Sequence, residues 1–200
     1  MTTVRKSARS AAPLHPLLAE RWSPRGLDPT HRLTDEHLTA LLEAARWAPS
    51  ASNSQPWRFA VALRGTPEFS AVFQTLAPGN QAWAHAASAL VVVSAQTADA
   101  DGNPRPWAVY DTGQAVAHLS VQAQHEGLAI HQLGGFDRSA LADLLALPAD
   151  LVPLVVVAIG RRDQAATLPE PLAQREGAER ERLPLDELVL PVFAPLRSAA

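Results

Sequence analysis

At 200 residues the chain fits one domain, and a folded chain of that length buries roughly 70% of the surface it would expose unfolded, so a core forms without covalent staples. Cysteine is absent, which removes disulfides, thiolate metal ligands, iron–sulfur ligation and thiol nucleophiles together; any redox chemistry must come from a bound cofactor. The net charge of −3 is slight and no run of Lys or Arg interleaves with aromatics, so the electrostatic footprint of nucleic-acid binding is missing.

Residues 1–15 read as a disordered arm: Arg5, Lys6 and Arg9 stand among Ser and Ala without the apolar stretch of a secretory signal. The same Arg- and Ser-rich, acid-free composition also suits an organelle transit peptide; otherwise a cytoplasmic protein is expected. Residues 16–200 are expected to form a single domain. Thr34 is a plausible N-cap for a helix over 35–48, with Leu38, Leu41, Leu42 and Ala45 on one face, Asp35 and Glu36 at its positive end and Pro49 stopping it. Residues 57–63 (WRFAVAL) are rich in strand formers, and Gly65, Thr66 and Pro67 lead into a helix through Phe69, Val72 and Phe73.

The apolar stretch 82–95, interrupted by His85 and Ser88, is too short for a membrane span and reads as a buried strand with its approach. Residues 97–106 (TADADGNPRP) form a loop. A long helix is expected over 107–126, with Val109, Val116, Leu119 and Ala123 on one face and Gly127 as its C-terminal cap. A short strand over 128–133 ends at Gly134 and Gly135; Asp137 or Ser139 caps a helix carrying Leu141, Leu144 and Leu145, and 154–159 (LVVVAI) is another buried strand. This alternation points to one sheet covered on both faces. The charged stretch 161–182 gives way to an apolar tail over 183–193, which is expected to pack, against its own domain or a second subunit.

Several site types are missing. None of the ten glycines falls into a G-x-G-x-x-G or P-loop pattern, no H-E-x-x-H occurs, and there is no G-x-S-x-G elbow. His118 and His125 lie on one helix but lack further ligands, so a metal site is not expected.

Three separated segments carry chemistry. Arg21, Ser23 and Arg25 alternate in 21–25 (RWSPR); in an extended segment they project to one side, and Arg forks match phosphate oxygens. A solvated Arg-rich turn would look the same. Residues 49–57 (PSASNSQPW) supply hydroxyl and amide groups that suit a polar ring edge or polyol, and equally suit an ordinary turn. In 132–137 (QLGGFD) paired glycines at a strand end let the backbone approach a flat ring, though a bare Gly-Gly turn is the simpler account.

Taken in order, RWSPR, APSASNSQPWRF, the 110–127 helix leading into IHQLGGFD, VVVAIGR and RERLPLDELV resemble the nitroreductase family of FMN enzymes over about 16–189. The resemblance implies an α+β fold with a central mixed β-sheet flanked by helices, an intertwined homodimer with a C-terminal extension (about 161–200) on the partner, and FMN at the interface. It implies that Arg21, Ser23, Arg25, Arg180 and Arg182 hold the phosphate. Pro49, Ser50, Ala51, Ser52 and Asn53 would come from the second subunit, with Gln55 structural or near the ring. Asn80 would meet the pyrimidine edge, and Leu133, Gly134 and Gly135 would lie over the ring near N5. Gly134 stands where some members carry Glu, and the 97–106 loop replaces a longer excursion, leaving Trp83, Trp107 or Tyr110 as candidates to line the substrate face, though a core or surface aromatic is the simpler account of each. The implied activity is ping-pong hydride transfer from NADH or NADPH to a nitroaromatic, quinone or similar small-molecule acceptor, with no catalytic side chain. Oxygen activation or dehalogenation on the same fold, a non-catalytic flavin sensor, and a structural dimer without flavin are the alternatives.

Overall fold

The computed structural model describes residues 6–190. Residues 1–5 of the expected arm and 191–200 of the expected tail lie outside that range. In chain order the elements are α1 (Pro16–Glu20), α2 (Asp35–Arg46), a 3₁₀ turn (Ala51–Asn53), β1 (Trp57–Leu63), α3 (Pro67–Gln74), α4 (Pro78–Ala84), β2 (Ala89–Gln96), α5 (Ala108–His125), β3 (Ala129–Leu133), α6 (Arg138–Leu144), β4 (Leu151–Gly160), α7 (Glu170–Gly177) and α8 (Leu185–Leu188).

Local chemistry sets the boundaries. The hydroxyl of Thr34 accepts from His37 N, that of Thr66 from Phe69 N, and the carboxylate of Asp137 from Ala140 N, so each satisfies an N–H that its helix leaves open. Asp137, not Ser139, is the cap of α6. At the end of α5, Gly127 takes φ +69°, and Leu128 N donates to Ala123 O at 2.8 Å, the wrap-around bond that a left-handed residue permits. The approach to β2 is not strand: Pro78 opens α4, which carries Trp83 into the core.

The sheet order is β1-β2-β4-β3. Every pairing among these strands is antiparallel, which corrects the expected mixed sheet as far as the described residues go. The β1-to-β2 and β3-to-β4 connections return each strand beside its neighbour in the opposite sense, whereas α5 carries the chain from β2 across β4 to β3. The fourth strand begins earlier than expected, at Leu151; Pro153 is accommodated because the β2–β4 register shifts between Val93 and Ser94.

Strand β2 has two buried faces. Leu90 and Val92 pack with Phe69, Val72, Trp83 and Leu141 in a first core under α3, α4 and α6. Val91 and Val93 pack with Leu41, Ala45, Ala115 and Leu119 in a second core under α2 and α5. The expected face of α5 is wrong at one position: Val109 is 55% exposed, while Asp111 and Thr112 are buried with Ala115, Val116, Leu119 and Ala123. No helix among the described residues is long and apolar enough to cross a membrane, and no cluster of potential metal ligands occurs among them.

Candidate functional site

The segment after α1 is extended and pinned at several points. Leu27 bridges to Arg162 beyond the end of β4, Asp28 N donates to Arg161 O at 2.9 Å, and Asp163 N donates to Gly26 O at 3.0 Å. The carbonyl of Pro24 accepts from His131 Nδ1 at 3.1 Å; since a carbonyl cannot donate, Nδ1 carries the proton. The His131 ring packs against Trp83 with centroids 4.7 Å apart. Burial, with Arg25 and Arg21 nearby, pushes the imidazole down to about 4, against the two opposing backbone bonds. A neutral histidine thus ties the Arg21–Arg25 segment to β3.

Arg21, Ser23 and Arg25 are all half-buried. The intervening Trp22 faces away, between Lys6 at 4.3 Å and Arg162 at 5.0 Å from its ring centre. Residues of the expected arm therefore touch the body: Lys6 lies over Trp22, Ala8 N donates to Ala19 O at 2.7 Å, and Arg9 pairs with Glu179.

The C-terminal stretch meets the same segment. Arg180 Nη1 donates to Ala19 O and Lys6 O, both at 2.7 Å, and Arg182 donates to Glu181 O. Burial, then the neighbouring Arg182, lowers the pKa of Arg21; burial, then Arg21 and Arg182, lowers that of Arg180. Burial also lowers Arg25, with Glu176 opposing. No ion pair joins Arg21, Arg25, Arg180 or Arg182 to a carboxylate among the described residues. Like charges crowded together and partly desolvated form a place where an anion relieves repulsion and completes charge-assisted bonds.

The glycine turn follows on the same strand, three residues beyond the His131 that bonds Pro24 O. Leu133 is buried; a Cβ added to Gly134 would meet nothing within 4 Å, whereas one on Gly135 would come within 3.0 Å of Asn80 Nδ2. Asn80 Nδ2 and Ala77 N both donate to Gly135 O, at 2.9 and 3.0 Å. Asn80 is thus brought to the glycine turn. Clefts of about 240 and 250 Å³ flank the grip, one beside Trp22 and one beside Arg25 and Trp83. Both are smaller than the 300–1,000 Å³ usual for a cofactor pocket.

The remaining predicted segment is elsewhere. Pro49, Ala51, Ser52, Asn53 and Gln55 are exposed and Ser50 is half-buried. Ser52, Asn53 and Gln55 take φ of 51°, 53° and 45°, a left-handed backbone that costs non-glycine residues of order 1 kcal/mol or more each. Asp111 holds the turn by accepting from Ala51 N at 3.0 Å, and Gln55 bonds Ser50 Oγ and Asn53 O. No hydrogen bond among the described residues links it to the arginines. The turn is bracketed by Ala48 and Trp57 of the second core, whereas Leu27, Trp83 and Leu133 beside the grip belong to the first. The two halves of the expected site are therefore separate: the arginine segment lies along the β3 edge of the sheet, and no hydrogen bond among the described residues reaches from it to the turn.

Of the candidate aromatics, Trp83 is 1% exposed and belongs to the core, the simpler of its two readings. Trp107 and Tyr110 are well exposed and meet edge to face, 6.4 Å between centroids. His131, Glu176, Asp111 and Lys6 were not singled out from sequence. The first stands inside a quoted motif, whereas the others carry no local signal.

This antiparallel sheet, coated with helices on both faces and flanked by a cluster of arginines, is an α+β arrangement of the nitroreductase type. The nitroreductase family model matches residues 18–161, and the chain belongs to that family. A solved structure described as an oxidoreductase containing FMN superposes with a TM-score of 0.88 at 35% identity, covering 96% of this chain and 98% of that one. The oxygen-insensitive NAD(P)H nitroreductase of Salmonella typhimurium is 30% identical over 68% of this chain and 72% of its own length. Protein DrgA of Synechocystis is also 30% identical, over 85% of this chain and 91% of its own length.

Proposed function

We propose that the protein is an FMN-dependent NAD(P)H oxidoreductase that works as a homodimer, each flavin lying between the arginine grip of one subunit and the strained Ser50–Gln55 turn of the other. The observation that carries this reading is the separation just described: no hydrogen bond among the described residues joins the arginine segment to the Ser50–Gln55 turn, which supports a site completed by a second chain. The relative with FMN and the relative that reduces nitro compounds with NAD(P)H support the cofactor and the electron donor.

The residues fit the group. Arg21, Ser23, Arg25, Arg180 and Arg182 offer a cationic end without a paired carboxylate, suited to a phosphate dianion. The open space over Gly134 admits a flat ring at backbone distance. Asn80, fixed by Gly135 O, stands at the same turn to orient a pyrimidine edge. Pro49, Ser50, Ala51, Ser52 and Asn53 present hydroxyl and amide groups from the partner, with Gln55 bracing their turn.

When bound, FMN supplies reversible hydride chemistry: it accepts a hydride from NADH or NADPH and passes reducing equivalents to a second substrate. The chain's own part is to grip, orient and leave one ring face accessible. No side chain at the glycine turn donates or removes a proton, since Gly134 and Gly135 have none and His131 is held neutral with its Nδ1 proton committed to Pro24. The exposed Trp107–Tyr110 pair and the short 97–106 loop suit flat acceptors such as nitroaromatics and quinones. Purified protein should show flavin absorbance that releases FMN on denaturation and bleaches anaerobically with NADH or NADPH. A colourless protein that takes up no added FMN would refute the reading.

A further inference from the structure

Two stretches of chain, about 155 residues apart, must act as one phosphate grip in the proposed function, and a single acidic residue stands between them. We infer that Glu176 is a positioning residue: its carboxylate latches the C-terminal stretch onto the Arg21–Arg25 segment and so sets Arg180 and Arg182 in register with Arg21, Ser23 and Arg25. The inference rests on the FMN reading and adds a residue that does not itself touch the cofactor.

Surrounded by cations, this carboxylate bonds backbone instead of a guanidinium. Oε2 accepts from Arg25 N at 3.0 Å, and Oε1 from Arg25 N and Gly26 N at 3.2 Å each. The Arg25 side chain is thereby left without an ion pair. Gly26 makes the close fit possible: a Cβ there would stand 2.8 Å from Asp163 O and 3.6 Å from Glu176 Oε1. Four residues further on, Arg180 bonds Ala19 O, just ahead of Arg21. The stretch 176–180 thus pins the grip at both ends, after Ala19 and at Arg25–Gly26. Besides the exposed Arg9–Glu179 pair and the Arg180 bond to Lys6 O, little else holds it there, since α7 buries none of its residues and only its partly buried Leu172 and Leu168 before it reach the first core. A polar latch, unlike an apolar contact, fixes register as well as proximity, because the acceptor must meet two particular N–H groups.

The test is titration of the full-length dimer, stripped of flavin, with FMN and separately with riboflavin, which lacks the phosphate. Glu176→Ala should weaken FMN about tenfold and leave riboflavin affinity unchanged, whereas Glu176→Gln, which keeps an acceptor oxygen, should stay within about threefold of wild type. In the Glu176→Ala background, Arg180→Ala should cost little more, because the arginine has already lost its register; Arg21→Ala should keep its full penalty. If Glu176→Ala does not fold, amide exchange decides: Arg25 and Gly26 N–H should exchange slowly in wild type. Unchanged FMN affinity in Glu176→Ala, equal losses for FMN and riboflavin, or rapid exchange at both amides would overturn the latch. Wild type that binds neither flavin would instead overturn the FMN reading, and the latch with it.

Discussion

His131 gives the account a pH test with a worked magnitude. Burial, assisted by Arg25 and Arg21, holds its imidazole at about 4 in the folded chain against an ordinary 6.5. Above 6.5 the ring is neutral in both folded and unfolded states, and the stability that goes with the buried neutral ring is intact. As pH falls below 6.5, the unfolded chain takes up a proton that the folded chain refuses. Stability then drops by about 1.4 kcal/mol per pH unit until the folded ring also titrates, a loss of about 3 kcal/mol in all. His131→Asn isolates this contribution, because the amide keeps an N–H directed at Pro24 O but does not titrate. Urea unfolding of flavin-free protein at about pH 7 and about pH 4, at one protein concentration, should show wild type losing about 3 kcal/mol more than the variant. Parallel losses would refute the claim that a buried neutral histidine splints the grip to β3.

Arg21→Ala should weaken FMN binding about ten- to a hundredfold with little change in Tm, measured by fluorescence titration, because it removes a charge-assisted contact at a half-buried position. The two glycines should separate: Gly134→Ala leaves Tm unchanged but weakens FMN by crowding the ring, whereas Gly135→Ala lowers Tm by forcing Asn80 away, both read by thermal unfolding and titration. Asp111→Ala should cost about 1–3 kcal/mol in chemical unfolding, through the orphaned Ala51 N–H, and should also weaken FMN by loosening the left-handed turn.

Much of the fold was legible because it is written locally. Thr34, Thr66, Asp137 and Gly127 sit where helix ends need them, and runs such as LVVVAI have no partly polar alternative face. Helix α4 is not marked in the sequence because it is only seven residues long and runs into the apolar stretch 82–95, where periodicity does not separate a short buried helix from the approach to a buried strand. Strand direction is set by long-range pairing, which explains why the antiparallel register was not foreseen. The site divides the same way. Arginine alternation and paired glycines are local patterns, which is why both segments stand out in the sequence. The bonds from Glu176 to Arg25 and Gly26, and from Asp111 to Ala51, join residues about 150 and 60 positions apart, and nothing near either acid marks it. Left-handed Ser52 and Gln55 are equally invisible, since neither residue type favours that backbone.

Subunit mixing tests the central claim most directly. One tagged chain carries Arg21→Ala, the other Ser50→Ala with Asn53→Ala, and the doubly tagged heterodimer is isolated and titrated with FMN. A site built from both chains leaves one cavity intact and puts all the damage in the other, so the heterodimer should bind one FMN per dimer at wild-type affinity. Two equally weakened sites would show that each chain binds flavin by itself, contrary to the structure proposed for the site.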